Sequence, residues 1–167
     1  MVTRMNLPRR AVLLSLLALG ACAPQGPPFA SVAGTLRPVP QGMARIFVYR
    51  WLEPYETLSP TAVSLNGRPV GVSDIGSVFY RDVAPGRYTI SVQSDEVYPD
   101  QFKTVTLEPG EVIYVRIESL LTWSSCGGGG SDRGGGSPSG CRNTFVVVIV
   151  DPTVAQYEMR GLRFTQG

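Results

Sequence analysis

The stretch from Phe79 to Val92, FYRDVAPGRYTISV, is the strongest constraint on how this chain can fold. It contains two strand-like runs separated by Pro85-Gly86. In the second run Tyr88, Ile90 and Val92 alternate with polar residues, and this period of two is typical of a strand with one buried and one solvated face. The pattern predicts a hairpin whose turn is the Pro-Gly pair. Charged residues beside the turn are predicted to form a solvated rim, namely Arg81, Asp82 and Arg87.

The Pro-Gly turn occurs a second time further along the chain. Leu107-Glu108-Pro109-Gly110 repeats Val83-Ala84-Pro85-Gly86, and each tetrapeptide leads into an alternating strand. Proline presets the first φ of a type II turn and glycine accepts the positive φ that follows. Two copies are too few for a repeat protein. They predict two similar corners of one β-sandwich.

Other turn signals define further strands. Asn66-Gly67 separates TAVSL (61–65) from RPVGV (68–72), and this dipeptide favours a two-residue hairpin of type I′. Pro69 cannot donate a ladder hydrogen bond, so it predicts an edge strand. Residues 74–76 are predicted to turn into a strand over residues 78–83.

Two runs are apolar on both faces, as is typical of covered strands. They are ARIFVYR (44–50) and TFVVVIV (144–150), and the second is predicted to be a central strand. Asp151-Pro152 then predicts a helix through about Met159, from its N-cap and its first-turn proline. Val154 and Tyr157 are expected on one face of that helix, with Gly161 as its C-cap. The tail, residues 160–167, is expected to add a last short strand or to fray.

The predicted fold class is therefore all-β. We expect a small antiparallel β-sandwich of about seven or eight strands with one short C-terminal helix. The sandwich domain is expected to span residues 43–167, with a Gly-rich insertion at residues 120–143.

Residues 1–21 are predicted to be a lipoprotein signal peptide. Three arginines precede an apolar run at residues 11–19 that is too short to span a bilayer comfortably. The run ends in Leu19-Gly20-Ala21-Cys22, which resembles the lipobox of bacterial lipoproteins. The resemblance implies a diacylglyceryl group on the Cys22 thiol, cleavage before Cys22 and acylation of the new amine. Two alternatives stay open: an ordinary signal peptide, and twin-arginine export through Arg9-Arg10.

The resemblance to lipoproteins also implies a location in the cell. A non-acidic residue after the lipidated cysteine, here Ala23, usually accompanies the outer membrane in diderm bacteria. A lipid-anchored protein of the outer membrane that faces the periplasm is therefore expected. Residues 22–42 are predicted to be an extended, helix-free linker because they contain five prolines. At about 3.1 Å per residue this tether would reach about 60 Å.

The Gly-rich insertion cannot pack a core, since eight glycines occur within residues 127–140. Cys126 and Cys141 bracket it. With Cys22 lipidated they are the two remaining thiols in an oxidising compartment, so a disulfide is expected, worth about 3 kcal/mol. The insertion itself is interpreted as a variable surface loop, and a loop that contacts a partner is the alternative.

The composition limits the chemistry. The chain contains no histidine, which removes the usual general base and the commonest metal ligand. Without Arg4, Arg9 and Arg10 the mature chain has 12 basic and 13 acidic groups, a net charge of −1, which gives no electrostatic footprint for nucleic acid. We predict no catalytic, cofactor-binding or metal-binding residues and no nucleic-acid partner.

The assembled motifs resemble a known family. ARIFVYR, VSLNGRPVG, FYRDVAPGRYTISV and LEPGEVIYVRI, between a lipobox and a closing apolar strand, resemble bacterial envelope lipoproteins catalogued as domain of unknown function 2846. The likeness covers most of residues 44–158. V-x-P-G-x-Y-x-I also recurs in sandwich modules similar to transthyretin and to carboxypeptidase regulatory domains. The resemblance implies a small antiparallel sandwich on a lipid tether, and it brings no catalytic residues. The Gly-rich loop departs from the family pattern.

The leading functional hypothesis is a non-catalytic envelope lipoprotein. It would bind another envelope component, protein or glycan, or space an assembly from the membrane. One alternative is a small ligand bound between the sheets, lined by Phe47, Tyr49, Tyr80 and Tyr88. The other is a carboxylate-based hydrolase of envelope glycans. Its candidate acids are Glu53, Glu56, Asp95, Glu96 and Asp100.

Overall fold

The computed structural model describes residues 25–52, 59–94, 99–119 and 144–167. These residues form nine strands and two short α-helices, with a 3-10 turn at Ala33–Thr35 after the first helix. The helices are α1 (Phe29–Val32) and α2 (Pro152–Met159). The strands are β1 (Ala44–Tyr49), β2 (Thr61–Leu65), β3 (Arg68–Ser73), β4 (Ser77–Val83), β5 (Gly86–Val92), β6 (Phe102–Leu107), β7 (Val112–Ser119), β8 (Phe145–Val150) and β9 (Arg163–Phe164).

The strands form two sheets. The five-stranded sheet has the order β8-β7-β1-β4-β9, and the four-stranded sheet has the order β3-β2-β5-β6. The four-stranded sheet is antiparallel throughout. In the five-stranded sheet β1 runs parallel to β7, and β4 runs parallel to β9. The all-β sandwich with a short C-terminal helix is confirmed, but the prediction that the sandwich is antiparallel is wrong for the β1–β7 and β4–β9 pairs.

The two Pro-Gly corners carry the chain from one sheet to the other. β4 pairs with β1 and β9, whereas β5 pairs with β2 and β6. The predicted Phe79–Val92 hairpin is therefore wrong: its two strands belong to different sheets. The second corner returns the chain from β6 to β7, with φ values of 147° at Gly86 and 82° at Gly110. Both predicted sandwich corners are confirmed as changes of sheet. The predicted type II turn is wrong at Pro85-Gly86, since the φ of Gly86 is far from the value of about 80° that this turn requires. At the second corner the Glu111 amide donates to the Glu108 carbonyl at 3.1 Å and closes a turn around Pro109-Gly110.

The Asn66-Gly67 hairpin is confirmed. Both residues have positive φ, 50° and 77°, and the flanking Leu65 and Arg68 are partners in the β2–β3 ladder. The prediction that Pro69 marks an edge strand is also confirmed, since β3 lies at one end of the four-stranded sheet.

Strand β1 is covered on both faces, as predicted. All six of its residues are buried. Ala44, Ile46 and Val48 pack in the core between the two sheets. Phe47 and Tyr49 point the other way and belong to a second apolar cluster that also contains residues of α1 and α2. The five-stranded sheet therefore separates two cores.

Strand β8 is not central. Among the described strands it lies at the edge of the five-stranded sheet, next to β7. Its first three residues are buried, but Ile149 is 42% exposed. The prediction of a central strand over residues 144–150 is therefore wrong. An apolar run indicates that both faces of a strand are covered, but it does not indicate whether the strand has a hydrogen-bonded neighbour on each side.

Helix α2 has the predicted bounds. The Asp151 carboxylate accepts a hydrogen bond from the Thr153 amide at 2.8 Å and caps the first turn. Val154 and Tyr157 share one face, but that face is exposed, at 47% and 68%. The C-cap is Arg160 in a right-handed conformation, so the prediction of Gly161 at this position is wrong. The predicted last strand is confirmed as β9.

Part of the predicted linker is docked on the domain. Phe29–Val32 forms a helical turn directly after Pro28, which is its N-cap residue. Phe29 is 7% exposed, its amide donates to the Leu162 carbonyl at 2.7 Å, and the Phe164 amide donates to the Pro27 carbonyl at 2.8 Å. The expectation of an extended, helix-free tether is therefore wrong for these residues, because burial of one aromatic ring fixes the segment. Residues 1–24, with the predicted signal peptide and Cys22, lie outside the described residues.

Replacement of Gly110 by alanine tests the corner geometry. Open space surrounds the Cβ position at Gly110, so the cost arises from its φ of 82° alone. We expect Gly110→Ala to lower the free energy of unfolding by about 1–2 kcal/mol in urea titrations. Gly161→Ala is the matched control, since Gly161 also faces open space without a positive φ. Equal free energies of unfolding for the two variants would contradict the conclusion that the positive φ at position 110 disfavours residues other than glycine.

Candidate functional site

The outer face of the five-stranded sheet carries a row of aromatic rings. Phe47 on β1 is paired with Tyr80 on β4 and with Tyr114 on β7. The Phe47 and Tyr114 rings stack at 5.3 Å with an interplanar angle of 6°, and the Tyr80 ring lies 5.6 Å from Phe47. Because paired positions on neighbouring strands point to the same face, the register alone aligns these three rings.

Segments from both ends of the domain cover this row. Phe29 packs edge-on against Phe47 at 6.0 Å. Phe164 on β9 lies 6.3 Å from Phe29 and 6.0 Å from Tyr80. Offset and edge-to-face contacts of this kind stabilise by about 0.5–1.5 kcal/mol beyond the area they bury.

An apolar cleft of about 420 Å³ opens over the aromatic row, between α1 and α2. Its floor contains the buried rings of Phe47 and Tyr114. The Gln156 amide donates to the Tyr114 hydroxyl at 3.2 Å, which places one polar pair in the cleft. The lining consists of Phe29, Ala30, Ala33, Leu36, Phe47, Tyr114, Gln156, Met159 and Arg160.

A buried ion network lies on the same face of the sheet. Glu158 on α2 is only 7% exposed. Its Oε2 accepts a hydrogen bond from the Tyr49 hydroxyl at 2.5 Å, and its Oε1 accepts one from Nη1 of Arg116 at 2.6 Å. Arg116 also donates from Nε to Glu118 at 2.6 Å. Both Glu158 oxygens are therefore engaged, and the network ties α2 to β1 and β7.

The network perturbs the groups that it joins. Burial, followed by the hydrogen bond to Glu158, raises the pKa of Tyr49 far above its ordinary value, so this hydroxyl remains a donor. Burial acts to lower the pKa of Arg116, but the charge of Glu118 and the hydrogen bonds to Glu158 and Glu118 outweigh it and raise that pKa. Arg116 is thus a permanent cation at this position.

A second ion pair fastens the linker to the sheet. Arg45 donates to both carboxylate oxygens of Asp82, at 2.6 and 2.9 Å, and to the Arg37 carbonyl at 2.7 Å. Its guanidinium carbon lies 3.9 Å from the centre of the Tyr80 ring. The hydrogen bond to Asp82 is the main cause that raises the pKa of Arg45. This arrangement holds the carbonyl of residue 37, and with it the linker, against β1.

The predicted solvated rim is wrong for two of its three members. Asp82 is the partner of Arg45, and its side chain is 22% exposed. Arg81 donates from Nε to the Val70 carbonyl at 2.6 Å, and burial lowers the pKa of Arg81. Arg87 is exposed, as predicted.

The aromatic residues predicted to line a site between the sheets do not come together there. Phe47, Tyr49 and Tyr80 lie in the outer cluster of the five-stranded sheet. Tyr88, on the four-stranded sheet, packs against the core between the sheets, and its hydroxyl donates to the Ala84 carbonyl at 2.8 Å. The prediction of a ligand site between the sheets that these four residues line is therefore wrong. The alternation of apolar and polar residues shows that a strand has a buried face, but it does not show which of the two apolar clusters that face belongs to.

One of the five candidate hydrolase acids can be placed. Asp100 is an exposed carboxylate that pairs with Lys103 at 2.6 Å. Glu53, Glu56, Asp95 and Glu96 lie outside the described residues, as do Cys22, Cys126 and Cys141. Within the described ranges no group of three or more cysteine or acidic residues is arranged to hold a metal ion. No helix in the same ranges is long and apolar enough to cross a membrane.

Sequence reasoning missed Glu158 and Arg116, although one signal for Glu158 was present. Ala155, Glu158, Met159 and Leu162 follow the i, i+3, i+4, i+7 spacing of a helix face that packs against a core, and all four are buried. An acid within such a stripe needs a buried partner. Arg116 supplies it, through a parallel register that pairs Tyr49 with Arg116.

These features define a class of protein: a β-sandwich whose larger sheet is covered on its outer face by two short helices and a docked N-terminal segment. The profile of the family described as "Protein of unknown function (DUF2846)" matches residues 40–130. The chain belongs to that family. A search of the curated proteins finds no match to this sequence.

Substitution of Tyr49 tests the buried network through pH. The pKa of Tyr49 is higher in the folded state than in the unfolded state, where it is about 10. The stabilisation by the Tyr49 hydroxyl is therefore complete below the unfolded-state pKa and is lost as the pH rises through the folded-state pKa. We expect the free energy of unfolding to fall above that pH in the wild type and to fall less steeply in Tyr49→Phe. At neutral pH Tyr49→Phe should lower the free energy of unfolding by about 1.5–3 kcal/mol, the contribution of a hydrogen bond to a charged group.

Tyr157→Phe is the control for this measurement, since Tyr157 is 68% exposed. Its alkaline loss of stability, followed by urea titration at each pH, should match that of the wild type. An unchanged alkaline slope in Tyr49→Phe would contradict the assignment.

Proposed function

We propose that the protein is a lipid-anchored, non-catalytic binding or structural module of the bacterial envelope, attached through Cys22 to the outer membrane and facing the periplasm. The observation that carries this proposal is the docking of the chain directly after the lipobox. Phe29 is buried, and the Gly26 carbonyl already accepts a hydrogen bond from Arg163 at 3.4 Å. The domain therefore begins almost at the proposed anchor.

Because residues 26–29 are docked, the proposed anchor at Cys22 would hold the domain closer to the membrane than an extended linker would. Four peptide units separate Cys22 from Gly26, and each covers at most about 3.6 Å, so the docked segment begins within about 15 Å of the acylated residue. A linker with free residues up to position 42 would permit about 60 Å. The proposed protein therefore acts at the membrane surface, where it can bind an envelope protein or glycan that lies close to the bilayer.

The electrostatics of the outer face support a non-catalytic role. Both oxygens of Glu158 accept hydrogen bonds, from Tyr49 and Arg116. Both oxygens of Asp82 accept hydrogen bonds from Arg45. A carboxylate whose two oxygens both accept hydrogen bonds from neighbouring side chains joins parts of the fold to one another. These two acids therefore support attachment of α2 and of the linker.

The proposed Cys126–Cys141 disulfide agrees with the topology around the insertion. Ser119 and Phe145 are direct partners in the β7–β8 ladder. The two strand ends that flank residues 120–143 are thus direct neighbours, which supports the proposal of a bond between Cys126 and Cys141. We propose that this insertion is a surface loop of the module.

Replacement of Cys22 by serine tests the anchor. The wild type, expressed in a diderm bacterium grown with labelled palmitate, should incorporate label and fractionate with the outer membrane. Cys22→Ser should lose the label and leave the outer-membrane fraction, as soluble protein or as an uncleaved precursor. Cys126→Ser is the control, because it removes a thiol without altering the lipobox, and it should stay labelled.

Two results would overturn the anchor. One is a wild-type protein without label. The other is a Cys22→Ser variant that remains labelled and in the outer membrane.

The apolar cleft favours a second candidate function, the binding of a small ligand. It has the size of small-molecule sites, an aromatic floor and few polar groups, as such sites usually do. Arg160 lines it and is exposed, so it offers a cation at the rim. A ligand with an apolar body and one anionic group fits this lining.

Calorimetric titration with octanoate tests this ligand class, and octanol serves as the uncharged comparison. We expect octanoate to bind about two- to fivefold more tightly than octanol, since one exposed charge contributes at most about 1 kcal/mol. Arg160→Gln should remove this difference between the two ligands. Ala33→Trp should fill the cleft and abolish binding. Thr104→Trp, on the exposed side of β6, should bind as the wild type does. Equal binding by Ala33→Trp and Thr104→Trp would contradict a site in the cleft.

A further inference from the structure

Helix α2 presents an exposed stripe that the sandwich leaves uncovered. Val154 and Tyr157 are 47% and 68% exposed, and Arg160 continues the same i, i+3 line. The Arg160 guanidinium carbon lies 5.8 Å from the centre of the Tyr157 ring. The opposite side of the helix is buried through Ala155 and Met159. The exposed stripe is therefore a surface feature that packing against the sheet does not explain.

The stripe ends where the N-terminal segment leaves the domain. The Leu162 carbonyl, just beyond α2, accepts a hydrogen bond from the Phe29 amide at 2.7 Å. Arg163, which is exposed, donates to the Gly26 carbonyl at 3.4 Å. Two arginines therefore lie between the exposed helix face and the point from which the chain continues toward Cys22.

We propose that Val154, Tyr157, Arg160 and Arg163, here called the α2 surface, rest against the anionic headgroups of the membrane leaflet that holds the lipidated Cys22. This inference rests on the proposed lipid anchor. Tyrosine is favoured at the boundary between headgroups and acyl chains, and arginine side chains pair with lipid phosphates. An exposed apolar and aromatic patch with cations beside it is the composition that favours contact with an anionic bilayer surface.

The reach of the anchor supports contact. Cys22 lies within about 15 Å of Gly26, whatever path the four peptide units take. An eight-residue helix is only about 12 Å long, and β9, which begins four residues after Met159, contacts Gly26 through Arg163. The whole α2 surface can thus meet the bilayer plane in which the acyl chains are embedded. The acids of α2 do not oppose this contact: Glu158 is buried against Arg116, and Asp151 caps the end of the helix farther from Gly26.

A tryptophan at position 157 reports the contact directly. The full chain, purified with its lipid anchor, is reconstituted into vesicles of phosphatidylethanolamine and phosphatidylglycerol that include phosphatidylcholine brominated near the headgroup. Tyr157→Trp is compared with Phe102→Trp, which replaces an aromatic residue 56% exposed on the other sheet. Both variants keep an aromatic residue at an exposed site and share the background of the native tryptophans.

We expect bromine to quench the Tyr157→Trp signal about twofold more than the Phe102→Trp signal, because only a residue at the interface approaches the brominated carbons. Vesicles without phosphatidylglycerol, or Arg160→Gln with Arg163→Gln, should reduce this difference, because the cations then lose their anionic partners. Added salt should act in the same direction.

Flotation of the same vesicles separates failure of this inference from failure of the proposed function. Protein that floats with the vesicles while the two tryptophans are quenched equally retains its anchor but overturns contact through the α2 surface. Protein that does not float overturns the anchor itself. A concentration-dependent dimer that Tyr157→Asp abolishes, with no excess quenching at position 157, would assign the surface to a second copy of the chain and overturn the membrane contact.

Discussion

The burial of β1 on both faces is the constraint on which the rest of the structure depends. Its inner side chains fill the space between the sheets, and its outer side chains, Phe47 and Tyr49, would leave a large apolar area in water if nothing covered them. Burial of a side chain of this size stabilises by about 1.5–3 kcal/mol. The two helices and the docked linker pack on this face because covering its apolar area removes that area from water. The aromatic cleft, the Glu158 network and the fixed start of the domain follow from the same strand.

The positions of the turns could be predicted from the sequence, but the pairing of the strands could not. Asn66-Gly67 determines its own hairpin, since the two residues supply both positive φ angles and the flanking strands have no alternative within reach. Pro85-Gly86 likewise marks a reversal of the chain, but the same reversal serves a hairpin or a corner between sheets. The choice depends on β1, whose residues pair with residues of β4 that lie 29 to 39 positions later in the chain. The edge position of β8 has the same origin, because the parallel β1–β7 pair displaces it outward.

The candidate site was less predictable than the fold because distant stretches build it. Its floor needs the parallel register that sets Phe47 beside Tyr114, and its walls come from α1 and α2. The proline content of the linker suggested an extended chain. At the N-cap of a helix, however, proline is tolerated, because the first turn does not need its missing N–H donor. Phe29 was the informative residue in that segment, because it is the one aromatic residue in a proline-rich stretch and its ring gains free energy on burial.

The pairing of the N-terminal segment with β9 also has a consequence for the order of assembly. Gly26 and Arg163 are separated by 137 positions, and their contact closes the outer cover of the five-stranded sheet. Closure over so many residues is entropically costly and comes after nearer contacts have formed. The outer cover can be completed only after translation has reached β9, although it begins with some of the first residues of the domain. Until this last strand arrives, the N-terminal segment has no partner there, and the outer cover of the five-stranded sheet stays open.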